Sequence, residues 1–178
     1  NIAQWAKIDA FQLLFSSFGG SGYDIACAQR DQAITYQLKH GVPLVETVVF
    51  DPSFKDQLYF VHLNKKQVSS ESIKAYKRNE VDAKALHDIT EISKDLLIAT
   101  NIFDFNKLLS KHESILSSIL REQTIQQRFF ADFNGQIKSL GAWGGDFILA
   151  TGDHTTTNYF NSKGYQTVIP YGSMINTI

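Results

Sequence analysis

The chain has 178 residues and a formal charge of -1, from 17 basic and 18 acidic side chains, so it carries no global field to gather nucleic acid or anionic lipid. At 43% hydrophobic and 20% charged it has the composition of a globular protein with a real core, and no apolar run approaches the roughly 18 residues of a membrane-spanning helix. A single cysteine, Cys27, excludes an internal disulfide framework and a cysteine-rich metal site, and fits a reducing, cytoplasmic compartment.

The first residue is Asn1, and the opening IAQWAKIDAFQLLF has no basic leader followed by a small-residue cleavage site. It reads as an interior helix, with the expectation that the sequence starts partway through a longer protein. Ile2, Trp5, Ala6, Ile8 and Phe11 to Phe15 recur at helical spacing up to FGGSG, so one helix is expected to deliver a glycine-rich loop. YDIACAQ then begins a short helix. AITYQL and LVETVVF, separated by KHGVP, read as a β-hairpin.

LYFVHL (58–63) is rich in aromatic and branched residues and reads as a strand, followed by the polar loop NKKQVSSES, in which Ser69 or Ser70 would cap a helix. Leu86, Ile89, Ile92 and Leu96 form one helical stripe, and Phe105, Leu108, His112, Ile115 and Ile119 form another, which predicts two antiparallel helices. A third helix is expected from Thr124 to Phe133, closed by Asn134 and Gly135. QIKSLGAWGGDFILATG reads as strand, glycine loop, strand. Asp153 would cap a helix over His154 to Asn161, and YQTVIP makes a last strand. The order predicts an α+β fold with helices on one face of an antiparallel sheet, ferredoxin-like in its second half.

Three constellations are able to carry chemistry. In GGSGYDIA, the Asp24 carboxylate sits two residues after a glycine at a helix start, placed either for general-base work or simply to complement the helix dipole. In GAWGGD, the glycines let backbone N–H groups approach a phosphate, or merely make a tight turn. In NKKQVSSES, Lys65 and Lys66 lie near two hydroxyls that precede a helix, an arrangement that holds phosphate or forms a solvated basic loop. His40, His62, His87, His112 and His154 show no HExxH spacing, and His112 falls on the buried edge of its helix. Trp5, Phe129 and Phe130 read as core rather than as a base-stacking platform.

Taken in order, SGYDIA, NKKQVSS and KSLGAWGGD resemble the GHMP kinases (galactokinase, homoserine, mevalonate and phosphomevalonate kinases), and in particular the subgroup named for GYDIA, over nearly the whole chain. The segment from Lys138 is similar to the phosphomevalonate kinase form KSSGAGGGDC at Lys138, Ser139, Gly141, Ala142, Gly144, Gly145 and Asp146. It departs at Leu140, Trp143 and Phe147, and Trp143 places an indole where the family keeps bare backbone. The resemblance implies that residues 1–55 are the remainder of a ribosomal S5-like N-terminal kinase domain and 56–178 a ferredoxin-like C-terminal domain.

It further implies ATP-dependent phosphoryl transfer, with Mg²⁺, to a small metabolite such as mevalonate or phosphomevalonate. Asp24 would serve as catalytic residue, Ser21, Gly22, Lys65, Lys66, Ser69 and Ser70 would face substrate, and Lys138, Gly141, Ala142, Gly144, Gly145 and Asp146 would form a phosphate loop. The family's first phosphate loop, PxxGLGSSAA, would precede Asn1. The 178 residues alone are therefore expected to be inactive, completed by an N-terminal portion as a separate chain or by a homodimer mate. The competing expectations are a non-catalytic ligand sensor or scaffold on the same fold, and an α+β interaction module whose glycine loops are only turns.

Overall fold

A computed structural model describes residues 2–17, 19–65, 81–141, 143 and 146–175. The chain divides into two compact units, Asn1–Phe50 and Asp51–Ile178.

In the first unit the single opening helix expected from periodicity is two: α1 (Ile2–Ala6) and α2 (Ala10–Ser17). The break is local. Lys7 takes the left-handed conformation at φ 55° while Ile8 N–H reaches back to the Ala3 carbonyl at 3.0 Å, which closes α1. Asp9 then opens α2 by accepting from Gln12 N–H at 2.8 Å. Next come α3 (Tyr23–Ala28) and a hairpin of β1 (Ile34–Lys39) and β2 (Val42–Thr47), paired from Ile34–Thr47 to Lys39–Val42. His40 and Gly41 join the strands with φ of 52° and 79°, the mirror-image turn that matches strand twist. Trp5 is 86% exposed, so it is not the core residue its spacing suggested.

The second unit is α+β. Its strands β3 (Leu58–His62), β4 (Ile137–Ser139), β5 (Phe147–Thr151) and β6 (Val168–Pro170) form one antiparallel sheet in the order β4-β5-β3-β6. Between β3 and β4 lie α4 (Ala83–Ile98), α5 (Ile102–Leu120) and α6 (Ile125–Phe129). The helix α7 (Thr156–Ser162) joins β5 to β6, and α8 (Tyr171–Met174) follows. This is the βαββαβ order with the first and third strands central, as the ferredoxin-like pattern requires.

Each longer helix starts on a side-chain cap: Asp82 accepts from Lys84 N–H, and Asn101 accepts from Asp104 N–H. Thr124 and Gln127 form a reciprocal capping box on α6. That third helix ends at Phe129 rather than Phe133, leaving Phe129 49% exposed while Phe130 turns inward at 1%. Asp153 does not cap the following helix directly. It holds Thr155 through its N–H at 2.8 Å and its hydroxyl at 2.6 Å, and α7 begins one residue later. The core joins Val61, Ile148 and Ala150 of the sheet to Ile125, Phe130 and Phe160, with the Phe130 and Phe160 rings edge to face at 5.1 Å. Among the described residues no helix is long and apolar enough to cross a membrane.

Candidate functional site

In the second unit the candidate site is the connection from β4 to β5. Leu140 N–H bonds the Phe147 carbonyl at 3.1 Å, and Gly141 turns the chain at φ 63°, where an added Cβ would meet nothing within 4 Å. Asp146 re-enters the sheet in the left-handed region at φ 51°. Its N–H donates to the Lys65 carbonyl at 2.8 Å, and its own carbonyl accepts from Leu63 N–H at 2.7 Å. The sheet ladder thus carries the start of the NKK loop and the end of the glycine loop side by side, so Lys65 and Asp146 are neighbours. Lys66, Ser69, Ser70, Ala142, Gly144 and Gly145 lie outside the described residues.

Lys138, at the root of the loop, is engaged in the opposite direction. Its Nζ lies 3.3 Å from Glu113 Oε1 and 3.2 Å from His112 Nδ1, both on α5. Glu113 is 2% exposed and its second oxygen accepts from Ser139 N–H at 3.2 Å. One carboxylate therefore holds both the ammonium and the backbone at which the loop begins. Burial pushes the Glu113 carboxyl up and the Lys138 ammonium down, each opposed by the other's charge. Burial, aided by Lys138, lowers His112 to about 4, which leaves a neutral ring whose Nδ1 is free to accept from the lysine. Trp143 is packed inward at 8% exposure, and its Nε1 and the Ser139 hydroxyl have no hydrogen-bond partner among the described residues.

In the first unit Gly22 caps α3 at φ 79°. Its place is fixed by crowding, because a Cβ there would come within 2.9 Å of the Phe11 ring and 3.3 Å of the Tyr36 hydroxyl. That hydroxyl donates to the Ser21 carbonyl, and Ser21 Oγ accepts from Tyr23 N–H at 3.2 Å. Asp24, exposed in the first turn of α3, is the acidic residue best placed to meet the helix dipole. Tyr23 is raised to about 12, first by its hydrogen bond with Cys27 and then by burial. Ser21, Gly22 and Asp24 are thus gathered by one turn. Glu113 was not singled out from sequence. The available signal was an acid beside His112 on an otherwise apolar helical stripe, where a buried carboxylate requires a cation.

No known family's sequence pattern matches the chain, and no curated protein matches it. A solved structure does. The crystal structure of L. major mevalonate kinase in complex with R-mevalonate superposes with a TM-score of 0.58 at 15% identity, covering 84% of this chain and 50% of that chain. The likeness is one of fold. The chain spans about half the length of the kinase it matches, and the α+β architecture with its antiparallel sheet is the fold class expected from the sequence.

Proposed function

We propose that the chain is part of an ATP-dependent small-molecule kinase that transfers the γ-phosphoryl group to a hydroxyl or phosphate of a small anionic metabolite. The observation that carries this reading is the fold shared with mevalonate kinase over 84% of the chain, in a sequence that also keeps SGYDIA and KSLGAWGGD in order. In the hydroxyl case the acceptor oxygen forms a bond to the γ-phosphorus, the bond to the β-phosphate oxygen breaks, and Asp24 takes the acceptor's proton. Ser21 and Gly22 would present substrate to it, and Lys65 with Lys66, Ser69 and Ser70 would supply charge and hydroxyls to an anionic acceptor. Gly141, Ala142, Gly144, Gly145 and Asp146 would line the phosphoryl side. Lys138 would act through the loop's root.

Mg²⁺ would come with the nucleotide phosphates and neutralise their charge. The test is transfer of labelled γ-phosphate to R-mevalonate or phosphomevalonate by the complete gene product. Asp24→Asn should lower the rate about 10²-fold or more. Turnover near normal in that variant removes Asp24 from the mechanism.

A non-catalytic ligand sensor is the second reading, favoured by the inward-packed Trp143 and by a Lys138 ammonium already held by Glu113 and His112. It predicts ligand-dependent thermal stabilisation without transfer to any acceptor.

A further inference from the structure

β5 links two different ends of the second unit. Phe147 leaves the glycine loop, whereas Thr151, four residues and about 13 Å further on, reaches a separate cavity of about 320 Å³. This is the lower end of the range for small-ligand pockets. Its walls come from Asn106 on α5, the turn before β4, the end of β5 and the start of α7.

Two glycines let its walls pack closely. A Cβ on Gly152 would stand 2.2 Å from Thr156 Oγ1, and one on Gly135 would stand 1.9 Å from the Thr151 carbonyl. Neither position tolerates a side chain, so bare backbone lines the cavity there. One wall is aromatic, with the Phe133 and Tyr159 ring centroids 4.9 Å apart.

The polar groups are specific. Thr156 is 2% exposed and lines the cavity. Asn106 Oδ1 is buried and has no hydrogen-bond partner among the described residues. Asp153 spends Oδ1 on both bonds to Thr155, which hold its carboxyl below the usual range and leave Oδ2 for another donor. Asp132 is already occupied, by Lys163 at 2.9 Å to each oxygen and by the Tyr159 hydroxyl at 2.7 Å. Among the described residues no lysine, arginine or histidine lines the cavity, and the Lys163 ammonium at its edge is already spent on Asp132.

We propose that this cavity is a second binding site, for a small neutral polyol of the sugar or cyclitol class. The ionised Asp153 accepts from ligand hydroxyls, the Asn106 carboxamide and Thr156 hydroxyl complete the polar set, and the Phe133–Tyr159 wall covers a C–H face. The site is independent of the kinase reading.

The experiment is a titration of the ¹⁵N-labelled chain with myo-inositol and with D-glucose, followed by amide chemical shifts. Saturable shifts at Gly135, Gly152 and Thr155 are expected with at least one of the two. Thr156→Val keeps the shape of the side chain and Asp153→Asn keeps the turn's acceptor; each should weaken binding about tenfold or more. An unshifted Ile148 amide in each variant certifies the fold. The proposal is overturned by the absence of saturable shifts with both polyols, by binding unchanged in both variants, or by inorganic phosphate or ethanolamine producing the same shifts.

Discussion

The two units bury apolar surface very differently. Among the described residues of Asn1–Phe50 the buried hydrophobic ones are Ala3 and Ala26, while Trp5, Val42 and Val49 are 86%, 59% and 89% exposed. In Asp51–Ile178 the side chains of Leu58, Leu109, Ile125, Phe130, Ile137, Ile148 and Phe160 are exposed by 1% or less. Order in the second unit rests on a core. Order in the first rests on caps, a mirror-image turn and the Tyr36 contact with Ser21, which are individually small terms. The SGYDIA turn is therefore held by local geometry, and the glycine loop is anchored to a packed sheet.

The contrast is broken most directly by deleting one ring from each unit. Phe130→Ala should destabilise the second unit by about 3–5 kcal/mol, because Phe160 and Tyr165 pack on that ring at 5.1 and 5.3 Å and cannot collapse into the space. Phe15→Ala, at a side chain 42% exposed, should cost less than about 1 kcal/mol. The two tryptophans serve as reporters in denaturant unfolding, since Trp143 is buried in one unit and Trp5 exposed in the other. Equal costs would mean that the first unit has a core these exposures do not reveal.

The same contrast governs what was legible in the sequence. The second unit's strands and its two long helices follow from hydrophobic periodicity, because burial imposes that periodicity. The opening of the first unit misled for the complementary reason. Apolar residues from Ile2 to Phe15 keep helical spacing, yet little of that surface is buried, so Lys7 and Asp9 decide the break through a left-handed residue and a cap. At the candidate site, SGYDIA and the glycine loop were visible as strings, and the Lys65–Asp146 pairing follows from the strand order. Glu113 was not visible, since its role depends on a lysine 25 positions away that only the sheet brings near.

A second and somewhat smaller effect sharpens the comparison through pH. His112 is depressed to about 4 in the fold against 6.5 when unperturbed, so between those values the unfolded chain binds the extra proton. Stability of the second unit should thus fall as pH drops through 6.5 and level off near 4, by about 3 kcal/mol in total. Glu113, pushed up by burial, acts in the opposite sense above its ordinary value. His112→Gln, which still offers an acceptor to Lys138 but does not titrate, separates the two contributions. The loss between pH 7 and pH 4, read from Trp143 fluorescence, should be about 3 kcal/mol larger in the unaltered protein. Equal losses would place the acid sensitivity elsewhere.

The smallest effect compares two helix starts. Thr124 opens α6 with a side-chain cap in which its hydroxyl accepts from Gln127 N–H at 3.2 Å and Gln127 Oε1 accepts from Thr124 N–H at 3.0 Å. Gly22 opens α3 with no side-chain cap, only a left-handed backbone pressed against Phe11 and Tyr36. Thr124→Ala removes one acceptor and should cost about 1 kcal/mol, which Thr124→Ser should largely restore. Gly22→Ala has no lost bond to restore, and its cost arises from φ 79° and the 2.9 Å approach to the Phe11 ring. Enlarging the room with Phe11→Leu should therefore rescue Gly22→Ala in part and leave Thr124→Ala unchanged. If Phe11→Leu gives no rescue, the backbone conformation alone sets the cost, and the crowding around Asp24 plays no part in holding the SGYDIA turn.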